Sequence, residues 1–246
     1  MLDGNQAPPP TPNQAVKMKS AVRRWLLRLG SNLPEAFLRK SCNLLGEMEL
    51  INWMSGQGMR FDHQVTRRQD LFEMIAAEVG QLPTLYLEFG VAAGDSIRTW
   101  SKLLKHPDSC LHGFDSFEGL PEAWGDCPKG TFSTGGAMPQ IDDPRVRFFK
   151  GWFEETLPTY EPPQRDVIVL NLDADLYSST ILVLRQLRAL IRAGTYLYFD
   201  EFFSLGHEER AFREFVEESG TKFRAVSTTR TDSAAVFQCI GARSPS

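Results

Sequence analysis

Two acidic pairs stand out by residue type and spacing. Asp173 and Asp175 lie in Leu172-Asp173-Ala174-Asp175-Leu176-Tyr177, at the end of the apolar run 166–172. Asp200 and Glu201 follow a second short run, 195–199. Both runs read as strands, and residues 176–193 between them read as a helix closed by Gly194. Strands joined in this way are usually neighbours, about 4.8 Å apart. Both pairs then leave the sheet at its carboxyl edge, where open α/β sheets bind ligands. Carboxylates crowded there repel one another unless a cation sits among them. Donors that are all oxygen favour a hard ion such as Mg²⁺. The plainer alternative, a separate cap or salt bridge for each acid, accounts less well for two acidic pairs at two strand ends.

A second constellation precedes this one. The run 85–89 ends in Glu88-Phe89-Gly90-Val91-Ala92-Ala93-Gly94-Asp95-Ser96. Glycines after a first strand let a ligand approach the backbone, and the helix start that follows favours a carboxylate or phosphate. The Gly-x-x-x-Gly spacing lacks the middle glycine of a dinucleotide fingerprint. Asp115, about 20 residues past the glycines at the end of the run 110–114, is placed to accept ribose hydroxyls, or else caps a turn. Lys150 and His207 are rival candidates for a general base.

These residues need a scaffold. Short apolar runs at 85–89, 110–114, 145–150, 166–172 and 195–199 alternate with helical patterns, which predicts a parallel sheet covered by helices. The runs 222–228 and 233–240 are joined by only a few residues, so they form a hairpin and one of them is antiparallel. A parallel sheet finished by an antiparallel C-terminal strand is the arrangement of the class I methyltransferase sheet. Ahead of it, helices are expected at 16–29, 34–50 and 66–79, with a loop at 55–64. Residues 1–14 carry Pro8, Pro9, Pro10 and Pro12 and are expected to be disordered. The expected organisation is a tail at 1–14, a helical extension at 15–80 and a catalytic domain at 81–246.

Composition narrows the class. The 246 residues are 42% hydrophobic with a net charge of −4, which argues against a largely disordered chain and against a dedicated nucleic-acid binder. No apolar run approaches the roughly 18–20 residues of a membrane span. The basic helix at 16–29 fits a solvated face, a subunit contact or a peripheral membrane contact. Cys42, Cys110, Cys127 and Cys239 lack zinc spacing and are expected to be reduced and mostly buried. With no signal peptide apparent, a cytoplasmic protein is expected, and a homo-oligomer.

The chain resembles the macrocin O-methyltransferase family, metal-dependent sugar O-methyltransferases, across roughly residues 66–228. The matching stretches are Leu87-Glu88-Phe89-Gly90-Val91 with Gly94, and Asp115-Ser116-Phe117-Glu118-Gly119-Leu120-Pro121. They continue with Lys150-Gly151-Trp152-Phe153, the run from Leu172 to Thr180, and Asp200-Glu201. The family commonly has two aspartates where this chain has Asp200-Glu201. The resemblance implies S-adenosylmethionine and Mg²⁺ as cofactors and a hydroxyl acceptor, most readily on a sugar. It places Glu88, Phe89, Gly90, Gly94, Ser116, Phe117 and Asp173 along the cofactor. Ser96 would stand near its amino-acid end, Asp115 at the ribose, and Gly151 and Trp152 at the adenine. Asp173, Asp200 and Glu201 would hold the metal, with Asp175 as general base.

The stretch 116–144 is long for a structureless loop, and its glycines and aromatics predict a lid over the acceptor. Other classes stay open at this point. Asp173-Ala174-Asp175 also matches the Asp-x-Asp of metal-dependent glycosyltransferases. A catechol-type O-methyltransferase, a nicotinamide-dependent oxidoreductase and an inactive cofactor-binding subunit are further readings.

Overall fold

The computed structural model describes residues 23–25, 27, 28, 30–230 and 233–242. The proline-rich tail at 1–14 and much of the helix expected at 16–29 lie outside the described residues. The elements in chain order are α1 (Glu35–Gly56), β1 (Gln64–Val65), α2 (Arg68–Val79), β2 (Thr84–Phe89), α3 (Asp95–Leu103), β3 (Cys110–Asp115) and β4 (Val146–Lys150). They continue with α4 (Phe153–Thr156), β5 (Val167–Leu172), α5 (Tyr177–Gln186), β6 (Tyr196–Phe199), α6 (Glu208–Ser219), β7 (Thr221–Thr229) and β8 (Ala235–Ala242).

The strands form one sheet in the order β1-β7-β8-β6-β5-β2-β3-β4. Strands β6, β5, β2, β3 and β4 pair in parallel, and β8 runs antiparallel to both β6 and β7. The expected mixed sheet is therefore present, and the antiparallel strand is β8. Strand β1, in a stretch expected to be a loop, pairs in parallel with β7. Two residues between polar flanks carry no readable period, so only the tertiary pairing reveals it.

Strand β2 is buried on both faces, as a central parallel strand must be. Alternation along it feeds two separate cores. Leu85, Leu87 and Phe89 join Leu170, Leu184, Phe212 and Phe237 on one side. Tyr86 joins Phe72, Ile75, Trp100 and Tyr198 on the other. Phe72 of α2 packs on Tyr198 and Trp100 at ring-centroid distances of 4.9 and 5.5 Å. Burying such a ring contributes about 3 kcal/mol, enough to hold α2 against the sheet.

Contacts divide the chain into two compact units, Met1–Met48 and Glu49–Ser246. The boundary expected at residue 80 falls inside the second unit, because α2 and β1 pack with the sheet. Helix α1 runs to Gly56, past the expected end at Leu50, and Leu50 and Met54 are buried in the core of the second unit. The helix expected at 176–193 is shorter: α5 ends at Gln186, Leu187 leaves helical geometry, and a 3₁₀ turn follows over Arg188–Leu190. Gly194 (φ +95°) instead turns the chain into β6. The four cysteines are free. Burial departs from expectation, since Cys239 is buried, Cys110 and Cys127 are half-buried and Cys42 is exposed. Among the described residues, no helix is long and apolar enough to cross a membrane.

Candidate active site

A cavity of about 830 Å³ opens at the carboxyl ends of β2, β3, β5 and β6. It is lined by Gly90, Ser96, Asp115, Ser116, Gly151 and Trp152, and by Asp173, Asp175, Asp200 and Glu201. Glu88, Phe89, Gly94 and Phe117 do not line it.

Those four act behind the cavity wall. Phe89 stacks on Phe114 at 5.0 Å and meets Phe153 edge-on at 5.6 Å. Phe117 is buried against Phe148. Gly94 (φ +81°) lies under Pro139, which a Cβ there would approach to 2.8 Å. Glu88 is fully buried and shares a face with Tyr86, whose hydroxyl donates to Glu88 Oε2. Asn171 Nδ2 in turn donates to the Tyr86 hydroxyl at 2.8 Å. Glu88 Oε1 has no partner. Burial pushes the Glu88 carboxyl up to about 8 against the opposing hydrogen bonds.

The glycine turn is built by its own neighbours. A Cβ on Gly90 (φ +92°) would fall 1.7 Å from the Asp173 carbonyl oxygen. Gly90 is thus required by the close approach of the β2 and β5 ends, independently of any ligand. Asp115 braces the same turn. Its Oδ2 accepts from the Val91 and Ala92 N–H groups, both at 2.8 Å, and its Oδ1 accepts from the Phe117 N–H at 2.7 Å. A carboxylate has about four acceptor positions, so bracing leaves capacity toward the cavity.

The second acidic constellation is assembled as the strand order requires. Leu172 and Phe199 are paired across β5 and β6, so the residues that follow them emerge side by side. Asp200 Oδ1 accepts from the Tyr198 hydroxyl, and Arg68 Nη1 lies 3.4 Å from Asp200 Oδ2. Glu201 Oε2 accepts from Ser204 at 2.7 Å, and the Glu201 N–H donates to buried Glu208 Oε2 at 3.0 Å. Asp175 sits in a left-handed conformation at φ +56°, in a turn closed by the Leu176 N–H on the Ala174 carbonyl. Such strain is characteristic of functional turns.

The electrostatics follow from crowding. Burial raises Asp173 well above the usual carboxylate range, and Asp200 and Asp175 add to it. Asp175 is pushed up to about 7 by burial, then by Glu201 and Asp200. Burial and the charges of Asp173, Asp200 and Asp175 raise Glu208 as well. A hard cation would relieve this repulsion, and an oxygen-only donor set suits one. Among the described residues, however, no three His, Cys, Asp or Glu side chains stand close enough together to hold a metal ion as they are placed.

Neither rival base lines the cavity. Lys150 Nζ donates to the Gly136 carbonyl at 2.6 Å. His207 meets Trp124 edge-on at 6.2 Å, and its Nδ1 is buried without a partner. Sequence reasoning missed Arg68, the first residue of α2, because a single arginine at a helix start carries no distinguishing signal. It also missed Glu208, which reads as an ordinary first-turn acid.

Comparisons with known proteins bear on this arrangement. The family model for macrocin-O-methyltransferase (TylF) matches residues 136–238. The 8-demethyl-8-(2,3-dimethoxy-alpha-L-rhamnosyl)-tetracenomycin-C 4'-O-methyltransferase of Streptomyces olivaceus is 30% identical over 146 residues, 49% of this chain and 54% of that protein. Mycinamicin III 3''-O-methyltransferase of Micromonospora griseorubida is 29% identical over 117 residues, 46% of this chain and 43% of that protein. The chain spans about half the length of the curated relatives it matches. Among solved structures, the calicheamicin methyltransferase CalS11 superposes with a TM-score of 0.55 at 21% identity, covering 96% of this chain and 99% of that one. The O-methyltransferase NovP gives 0.53 at 22% identity, over 72% and 80%. The chain thus shares the fold of these two solved structures, a mostly parallel sheet with an antiparallel C-terminal strand, and the macrocin-O-methyltransferase model matches it over residues 136–238.

Proposed function

We propose that this protein is an S-adenosylmethionine- and Mg²⁺-dependent O-methyltransferase acting on a hydroxyl, most readily of a sugar. One observation carries the reading: the braced turn after β2 and the four acids after β5 and β6 line a single cavity. The similarity to natural-product O-methyltransferases supports it.

In this reading Ser96, Asp115, Ser116, Gly151 and Trp152 bind the cofactor, with Asp115 at the ribose and Trp152 at the adenine. Asp173, Asp200 and Glu201 are the residues that would hold Mg²⁺ if they closed around it, and a Lewis acid bound there would supply activation of an acceptor hydroxyl. Asp175 accepts the hydroxyl proton. A carboxylate positioned to take that proton contributes about 10²–10⁴ in rate. Confining the acceptor oxygen beside the donor within these walls would supply much of the remaining acceleration. The stretch 116–144, which brings Leu120, Trp124 and Phe132 to the cavity, excludes water.

Titration calorimetry with S-adenosylmethionine, NADH and a UDP-sugar, each with and without Mg²⁺, tests the reading. Binding of S-adenosylmethionine alone among the three is expected, and its failure to bind overturns the proposal. Transfer of labelled methyl to a panel of vicinal-diol glycosides then tests the base. Asp175→Asn keeps a side chain that tolerates the left-handed backbone. It should lower transfer by about 10²-fold or more with cofactor binding unchanged, whereas a wild-type rate removes Asp175 from the mechanism.

A further inference from the structure

The cavity is electrostatically lopsided. Eight carboxylates line it, and Arg68 is the one Lys, Arg or His among its described lining residues. That placement is built rather than incidental. Arg68 opens α2, whose start is held by Asp70: its Oδ2 accepts from the Arg67 N–H at 3.1 Å and its Oδ1 from the Arg67 guanidinium at 2.7 Å. One turn on, Phe72 packs on Tyr198, so the helix start is anchored over the end of β6. The guanidinium is only loosely committed. A single Nη1 contact reaches Asp200 at 3.4 Å, Asp200 already accepts from Tyr198, and the Arg68 side chain keeps 34% of its surface exposed. Guanidinium groups normally take carboxylates in paired, shorter bonds of about 2.7–2.9 Å. Arg68 therefore has free donors facing a cavity that otherwise repels anions.

We propose that Arg68 is the anchor for the α-carboxylate of the cofactor's amino-acid end. The inference rests on the reading that the cavity binds S-adenosylmethionine, which carries one carboxylate. A carboxylate entering a cavity lined by eight others meets one cationic side chain among the described lining residues, and Ser96 at the start of α3 lines the same cavity. Arg68 would take it in a bidentate pair while loosening its hold on Asp200.

The test compares ligands that differ at that end. Calorimetry on the full chain would use S-adenosylhomocysteine, which carries the carboxylate, and 5′-methylthioadenosine, which lacks the amino-acid portion. Wild type and the variants Arg68→Met and Arg68→Lys would each be titrated. Arg68→Met should weaken S-adenosylhomocysteine binding about 10- to 100-fold and leave methylthioadenosine binding unchanged. Arg68→Lys should recover part of the loss, since it restores charge without the fork. Retained methylthioadenosine binding shows that the variant is folded. Equal losses for both ligands, or none for either, overturn the proposal. If wild type binds neither ligand, the cofactor reading itself has failed, an outcome separable from the behaviour of Arg68.

Discussion

At the residue scale, the side chains that shape this site divide into those facing the cavity and those bracing it from behind. Glu88 belongs to the second group. It is fully buried, hydrogen-bonded to Tyr86 on its own face, and its carboxyl is raised by burial to about 8. A raised folded-state pKa favours the fold while the group is protonated. The contribution is complete below about pH 4.5 and is lost as the pH rises through about 8. Glu88→Gln, neutral and of the same shape, should therefore gain stability over wild type as the pH is raised from 4.5 to 8, with the difference levelling off above that. Thermal melts of both proteins across this range check it, and a constant difference would show that Glu88 is already ionised in the fold. His112 works in the opposite direction. Burial, then Arg147, lowers it to about 4, so its neutral form is favoured and stability falls as the pH drops from about 6.5 toward 4.

At the element scale, the stretch 116–144 contains no helix or longer strand, only a bridge between Trp124 and Cys127. It is nonetheless tied down at defined points. Leu120 and Thr131 share a backbone hydrogen bond of 2.9 Å, Gly136 donates to the Phe117 carbonyl, and Lys150 of β4 holds the Gly136 carbonyl. Between these ties, Trp124 and Phe132 reach the cavity, and Phe132 is 54% exposed. A segment pinned at its base with an exposed aromatic over the cavity suits a lid that closes on a bound ligand. Limited proteolysis should cut within 116–144 in the free protein, and saturating S-adenosylmethionine should suppress that cut. Cleavage at an unchanged rate with cofactor bound would count against closure.

At the scale of the whole molecule, the unit Glu49–Ser246 contains both cores and every residue assigned to the cavity. In the other unit, Phe37, Leu44, Leu45 and Met48 of α1 are exposed. Among the described residues, removing 1–48 takes no side chain from either core, and Leu50 and Met54 are retained. The shortened chain should unfold cooperatively with a Tm within about 4 °C of the full chain, equivalent to roughly 1 kcal/mol at this size. Loss of a cooperative transition in calorimetry would show that the first unit is needed for folding.

Much of this protein is legible in its sequence because the relevant signals are local. Apolar runs of strand length alternating with helical periods specify the parallel sheet. The short link between the last two runs specifies a hairpin and hence the antiparallel strand. Asp115 and the acids after β5 and β6 are legible as a cluster because parallel strands release their ends at one edge. What faces the cavity and what braces it depends on contacts far apart in the chain. The Gly90 turn answers to the Asp173 carbonyl, Glu88 turns inward beneath the cavity wall, and Phe72 carries Arg68 to the end of β6. The sequence alone determined which residue types gather at the sheet edge, since strand order and spacing suffice for that. Only the tertiary structure decided that the Arg68 guanidinium stands among them, because packing across the sheet rather than any local pattern brings it there.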